Sequence, residues 1–311
     1  RQRQMCIRDR CMADYNTHKE FGSGDRICYH GVLDMFRNPK LSAAVYASQK
    51  TPRSPSDIVL EVSSSMALGD HPGGFAGACW VFTNAESVRL YRGNDFIAEF
   101  TPDRRGRFAA LPHPPIEVQD FVGSLLEKYE GLDPVAAPQV AAILNEMRRD
   151  ALTLSPLSRA RLLSLRLGWN DLLRMYYKYI GVLGSPSSVY RFEAVWHGRA
   201  VRTVVKEPVQ SVRLECTVLN PLLTDGPTWD CAAVSFRAID QNGNLLPYCG
   251  EAVQLSVEGP VKILGPSVVP LRGGMAGTYL ATTGEAGRAV LHCKMEGALD
   301  TEAALTVRKR G

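Results

Sequence analysis

One hairpin constrains this chain more than any other feature. Residues 189–195 and 200–205 alternate apolar and polar side chains on either side of Trp196-His197-Gly198-Arg199, the period-2 signature of two paired strands around a turn. Two strands cannot bury an apolar face by themselves, and the residues just before them, 116–183, have helical spacing. The partners must therefore come from farther back. Residues 57–115 offer them: 58–62, 78–83, then 87–91 and 96–100 around the turn Arg92-Gly93-Asn94-Asp95. The economical solution is an immunoglobulin-like sandwich built from 57–115 and 189–206, with 116–183 as a helical insertion between its strands.

In the insertion, Phe121, Val122, Leu125, Leu126 and Tyr129 share one helical face, as do Val140, Ile143, Leu144 and Met147. Leu162, Leu165, Trp169, Leu172, Leu173, Tyr176 and Ile180 predict a single helix of about five turns, capped by Ser158 and stopped at Gly181. Such a stripe is read as core. Upstream, Asn38-Pro39 reads as N-cap and first residue of a helix running to Gln49, and 51–56 as a linker. Downstream, 208–309 holds about seven short strands, with turns at 240–244, 258–260 and 283–287. That pattern predicts a C-terminal Ig-like β-sandwich. The chain is thus mainly β with a helical insertion.

Charge and cysteines narrow the function classes. Of 311 residues, 45% are hydrophobic and 22% charged, and the net charge is +4. Four arginines and one aspartate in residues 1–10 supply +3 of it, so the basic balance argues for neither nucleic acid nor membrane partners. That decapeptide is read as a non-native leader, and no apolar run is long enough to span a bilayer. The eight cysteines form no C-x-x-C pair and none has a histidine at zinc spacing. They are read chiefly as buried free thiols of a cytoplasmic protein, a disulfide between two sandwich strands being the alternative. Phosphate loops, G-x-S-x-G and H-E-x-x-H are absent; no cofactor and no metal site is expected.

Chemistry-bearing side chains crowd the start: Asp14-Tyr15-Asn16-Thr17-His18, then Asp25-Arg26-Ile27-Cys28-Tyr29-His30-Gly31. Carboxylate, amide, imidazole and phenol together suit hydroxyl recognition, because a sugar hydroxyl both donates and accepts. The run from Cys11 to His18, Phe21-Gly22-Ser23-Gly24-Asp25-Arg26-Ile27-Cys28-Tyr29-His30-Gly31-Val32-Leu33-Asp34 and Arg37-Asn38-Pro39-Lys40 resemble the end of a family 2 glycoside hydrolase of the β-galactosidase type. Residues 81–91 with the 189–205 hairpin, and 238–244 through 272–279, are similar to the sandwich and the terminal Ig-like module that follow the barrel in that family.

The resemblance implies that 11–50 are the last strand, active-site loop and last helix of a (β/α)8 barrel. It implies a retaining mechanism on β-glycosides, with a carbohydrate substrate approached by Asp14, Asn16, His18 and His30. His30 stands where many members have an Asn that touches sugar or sodium, and Arg10 where they usually have a stacking Trp. The family's two catalytic glutamates lie on earlier barrel strands, so no catalytic residue is assigned within 1–311. Glu20 is read as a solvated loop acid and Asp25-Arg26 as a loop-fixing ion pair. A lone strand and helix of a barrel are expected to attach loosely and to expose an apolar helix face. The alternative is a non-catalytic carbohydrate-binding or spacer module, with Trp80, Trp196 and Trp229 as stacking candidates, although a sandwich Trp is more often core. A homo-oligomer built on the 116–183 helices is the third reading.

Overall fold

The computed structural model describes residues 11–17, 24, 26–63, 77–150, 152–181 and 188–310; the N-terminal decapeptide that the sequence reading takes as a leader lies outside them. Residues 11–43 and 209–310 form one compact unit, and Ala44–Pro208 a second. Strands dominate the first, and the second divides between strands and helices.

The first unit begins with a short antiparallel ribbon, β1 (Tyr15–Asn16) on β2 (Ile27–Cys28). Leu33 then pairs in parallel beside it, donating to Met12 O and accepting from Asp14 N–H, each at 3.0 Å. Asn38-Pro39 does not cap a helix as the spacing predicts. Asn38 is 2% exposed, and its amide donates to Asp34 Oδ2 at 2.7 Å and to the Ala276 carbonyl at 2.9 Å. A buried amide is placed by its hydrogen bonds, and helix α1 (Leu41–Ala47) starts only beyond it. Leu41, Val45 and Tyr46 of that helix are exposed, an uncovered apolar face of the kind expected. The segment ahead of it is firmly held, contrary to the expectation of loose attachment. Besides the Asn38 bond, Phe36 packs on Gly277, and Arg272 Nη1 donates to the Tyr29 hydroxyl at 2.7 Å.

In the second unit, β3 (Leu60–Val62), β4 (Trp80–Thr83), β5 (Ser87–Arg92), β6 (Asp95–Phe100) and β7 (Ile116–Glu117) precede four helices, and two strands follow them. The helices are α2 (Leu125–Glu130), α3 (Ala136–Arg149), α4 (Pro156–Ser164) and α5 (Trp169–Tyr179); the strands are β8 (Tyr190–Trp196) and β9 (Arg199–Lys206). Two antiparallel sheets result, β3-β4-β7 and β6-β5-β8-β9. Pairing from Ser87↔Val195 to Arg92↔Tyr190 sets the 190–206 hairpin beside 87–100. Its turn puts both His197 and Gly198 at positive φ, 49° and 73°, as a tight two-residue hairpin turn requires. Leu90, Tyr190 and Phe192 of the sheet share one core with Leu126, Val140, Ile143, Leu144, Met147 and Leu172 of the helices.

The stripe from Leu162 to Ile180 is two helices, not one. α4 ends at Ser164, Arg166 takes a φ of 53°, and extended Gly168 caps α5. Gly168 is a poor helix former placed mid-stripe, and the break lets Leu172, Met175, Tyr176 and Tyr179 face the core while Leu163 stays 80% exposed. The cap of α4 is Ser155, whose hydroxyl accepts from Ser158 N–H at 3.2 Å ahead of Pro156. The end of α5 at Tyr179, with Gly181 at positive φ, matches the expected stop.

Glu130 ties α2 to α5. Lys178 Nζ and the Tyr179 hydroxyl lie 2.7 Å from one carboxylate oxygen, and Arg174 Nη1 lies 3.0 Å from the other. Burial pushes this carboxyl up, but the hydrogen bonds from Lys178 and Tyr179 and the Arg174 charge outweigh it and hold it at about 2, against an ordinary 4.5. A depressed carboxyl stabilises the fold above its unfolded value, and that contribution is lost as pH falls through the folded one. Glu130→Gln is therefore expected to lower stability at pH 7 by on the order of 1 kcal/mol, the basic partners being about half exposed. It should also flatten the fall in urea midpoint between pH 4.5 and pH 2; an unchanged slope would contradict this assignment.

The terminal sandwich completes the first unit. Its strands are β10 (Arg213–Val218), β11 (Leu222–Asp225), β12 (Cys231–Ile239), β13 (Ala252–Glu258), β14 (Val261–Leu264), β15 (Val268–Pro270), β16 (Met275–Thr282), β17 (Gly287–Met295) and β18 (Thr301–Lys309). They form sheets β10-β12-β16-β14 and β11-β18-β17-β13-β15. Leu214, Val234, Phe236 and Leu280 of the first sheet meet Leu255, Leu291, Cys293 and Leu305 of the second in one core, the alternation expected of a sandwich. The predicted turn at 240–244 is held by Asp240, which accepts from the amides of Asn242 and Asn244 at 2.9 and 2.8 Å.

Candidate functional site

The polar cluster of the first unit opens into a cleft of about 770 Å³. Asp14, Tyr29, Lys40 and Arg272 supply its polar border; Met35, Phe36, Leu245, Pro247, Val269 and Met275 supply most of its apolar wall. The chain brings these residues together in two steps. The 12–14/33 pairing fixes Asp14 beside the loop 29–31, and the Asn38 and Phe36 contacts seat that loop on β16.

Asp14 is the centre of the arrangement. Its side chain is 2% exposed, and Lys40 Nζ lies 2.7 Å from each of its carboxylate oxygens. The Gly31 amide donates to Oδ1 at 2.9 Å. Gly31 is required there by close approach, because a Cβ would lie 2.3 Å from Ala13 C and Asp14 N. The Lys40 ammonium also stands 5.6 Å from the centre of the Tyr29 ring, and the Tyr29 hydroxyl accepts from Arg272. Two cations, a phenol and a shielded carboxylate thus frame an apolar hollow, which suits a neutral, hydroxyl-rich ligand lying on an apolar face. Tyr15 opposes Cys28 across the ribbon; hydrogen bonding with that thiol pushes its phenol up to about 12, so it stays a neutral donor.

The sequence-derived candidates fare differently. Asp14 borders the cleft, but as a buried anchor whose oxygens are committed to Lys40 and Gly31. Asn16 and His30 are exposed and do not border it. His18, Glu20 and Asp25 lie outside the described residues. Tyr29 belongs to the polar cluster read from sequence but was not assigned as a site residue, and Lys40 and Arg272 appear only within the stretches that carried the resemblance. Trp229 is 62% exposed, whereas Trp196 packs on the core of the second unit and Trp80 meets Phe108 edge-on at 5.8 Å.

Catalytic carboxyls are not evident in this cleft. Asp34, the other acid on its border, accepts from the amides of Phe36 and Asn38 at 2.8 Å and from the Asn38 side chain. Both acids serve as local acceptors. Among the described residues, every carboxyl with a resolved shift goes downward, namely Asp57, Asp95, Glu99, Glu130, Asp133 and Glu146. A general acid needs the opposite shift, so that it keeps its proton near neutrality. Among the described residues no group of three or more His, Cys, Asp or Glu converges as a metal site.

Comparison with known proteins places this architecture. No family model matches the chain. The β-galactosidase of Thermoanaerobacterium thermosulfurigenes is 30% identical over 267 residues, covering 85% of this chain and 29% of that protein. The β-galactosidase of Thermoanaerobacter pseudethanolicus is 29% identical over 284 residues, covering 91% and 31%. Among solved structures, a β-glycosidase from Bacteroides vulgatus aligns with a TM-score of 0.57 at 13% identity over 96% of this chain and 30% of that one. A family 2 β-glucuronidase aligns with a TM-score of 0.52 at 13% identity over 92% and 23%. The chain therefore spans about a third or less of these two β-galactosidases. Its mainly-β sandwiches, preceded by the ribbon, loop and helix of residues 11–47, are thus similar in sequence to a part of these β-galactosidases and in fold to a part of family 2 glycosidases.

Proposed function

We propose that this chain is the downstream part of a retaining β-glycosidase whose two catalytic glutamates belong to polypeptide outside residues 1–311. One observation carries the reading: the acids of the cleft, Asp14 and Asp34, are both committed as structural acceptors. Retention needs two carboxyls about 5–5.5 Å apart, one as nucleophile and one as acid then base; neither of these two is free for such work.

The chain's own contribution is positional. Asp14 holds Lys40 and the Tyr29–Gly31 loop, and through them shapes the rim on which a β-glycoside would rest. His30, within that loop, and Asn16, on the ribbon, are exposed and are the side chains this reading assigns to sugar hydroxyls. Asp14 acts through Lys40 and Gly31, as a positioning residue, and not by direct contact.

The test is hydrolysis of a chromogenic aryl β-galactoside by the purified chain, alongside a β-galactosidase of the family as positive control. The expected result is no turnover above the uncatalysed rate. Turnover by the chain alone that disappears in Asp14→Asn or Asp34→Asn would overturn the proposal.

A further inference from the structure

We propose that Cys216 and Cys293 form a disulfide across the terminal sandwich when the folded chain meets a low-molecular-weight disulfide such as oxidised glutathione. Cys216 lies on β10 in one sheet and Cys293 on β17 in the other, and their sulfurs are 3.8 Å apart. Closing to about 2.05 Å is within the reach of side-chain rotation from such a contact.

The neighbourhood favours the pair. Cys293 is 1% exposed inside the core, while Cys216 is only partly covered. The inward face of β10 reads Leu214, Cys216, Val218, so Cys216 points at the opposite sheet. The Thr301 hydroxyl donates to the Leu214 carbonyl at 2.9 Å, tying β10 to the start of β18, the strand that pairs with Cys293 through Thr301. The two sulfurs are thus held by a frame that does not need to move. Hydrogen bonding from the Cys293 thiol pushes the Cys216 thiol down, and the same contact with burial pushes Cys293 up. Cys216, the more accessible of the two, is the sulfur that an external disulfide reaches first.

The chemistry balances in two exchanges. The Cys216 thiolate attacks one sulfur of the oxidant, forming a mixed disulfide and releasing one thiolate. Cys293 gives up its proton and attacks the Cys216 sulfur, releasing the second. Two protein thiols are oxidised and one small disulfide is reduced to two thiols. The link joins residues 77 apart, a long loop whose closure restricts the unfolded chain.

The experiment treats the whole chain, reduced or incubated with oxidised glutathione, and reads non-reducing peptide mass maps and thermal melting. Expected are the loss of two hydrogens from the intact mass, a peptide joining Cys216 to Cys293, and a melting temperature of the sandwich higher by several degrees. Cys216→Ser and Cys293→Ser should show neither the joined peptide nor the shift. A stable glutathione adduct on Cys216 with Cys293 still reduced would overturn the proposal. So would two reduced thiols, a joined peptide using another cysteine, or a joined pair that melts lower.

Discussion

Phe121→Ala is expected to lower the stability of the second unit by about 4 kcal/mol, in the middle of the range for deleting a buried aromatic. The ring is 1% exposed and does two jobs. It meets Tyr190 edge-to-face at 5.9 Å, joining the residues before α2 to β8. It also underlies the Arg148 guanidinium, 4.5 Å from its centre. Arg148 is a buried cation, 3% exposed, whose hydrogen-bond partners are the Gly77 and Val118 carbonyls, at 2.6 and 3.4 Å. Burial pushes that guanidinium down, so the ring face is part of what keeps a charge in this core. Removing it leaves both a void and an under-compensated cation. The check is urea denaturation of Phe121→Ala, Arg148→Met and the double variant. Coupling between the two should be about 1–2 kcal/mol, in the range for residues in contact. Additive losses, or a Phe121→Ala cost below about 2 kcal/mol, would show that the cation does not depend on the ring.

What the sequence made legible is local. The hairpin turns at 93–94 and 197–198 follow from Gly and its neighbours, because few residues accept positive φ; Gly93 and Gly198 take 57° and 73°. The demand of the 189–205 strands for a partner follows from burial alone, and β8 on β5 meets it. The terminal sandwich, nine strands where about seven were read, was legible as alternation but not in its short pieces such as β15. Asn38 shows why other features stayed hidden. A cap-like Asn before Pro is a helix start by local rules, but here its amide is claimed by Ala276, 238 residues away. The α4–α5 break is similar: the stripe continues across it, and only the core decides which leucines turn inward. At the site, Asp14 was legible as one member of a polar cluster. Its partner Lys40, 26 residues on, was not, since the pairing depends on a loop whose path is set by Gly31 and by packing on β16.

That packing is where the second large effect is expected. Gly277 sits in β16 with no side chain, and a Cβ there would lie 2.3 Å from Phe36 Cγ and 2.5 Å from its Cβ. Gly277→Val must therefore expel Phe36, which otherwise packs against the strand with its ring 6.0 Å from that of Tyr279. Losing that contact forfeits on the order of 1 kcal/mol of apolar burial, Phe36 being only partly buried. It also strains the Asn38 bond to Ala276, one residue along β16. The sandwich itself keeps its core, since Gly277 pairs with Ser235 through backbone groups alone. Hydrogen exchange should read this division directly. In Gly277→Val the amides of Asp14, Gly31 and Leu33 are expected to lose protection about 10–100-fold, while those of Val234 and Leu280 hold theirs. Phe36→Ala, which removes the same contact without touching the strand, should reproduce the loss at the first three. If both variants leave Asp14 and Leu33 protected, the site segment is held by its own pairing, and the seat on β16 is incidental to the cleft. If only the valine variant loosens them, the strand has been distorted, and the loss says nothing about Phe36.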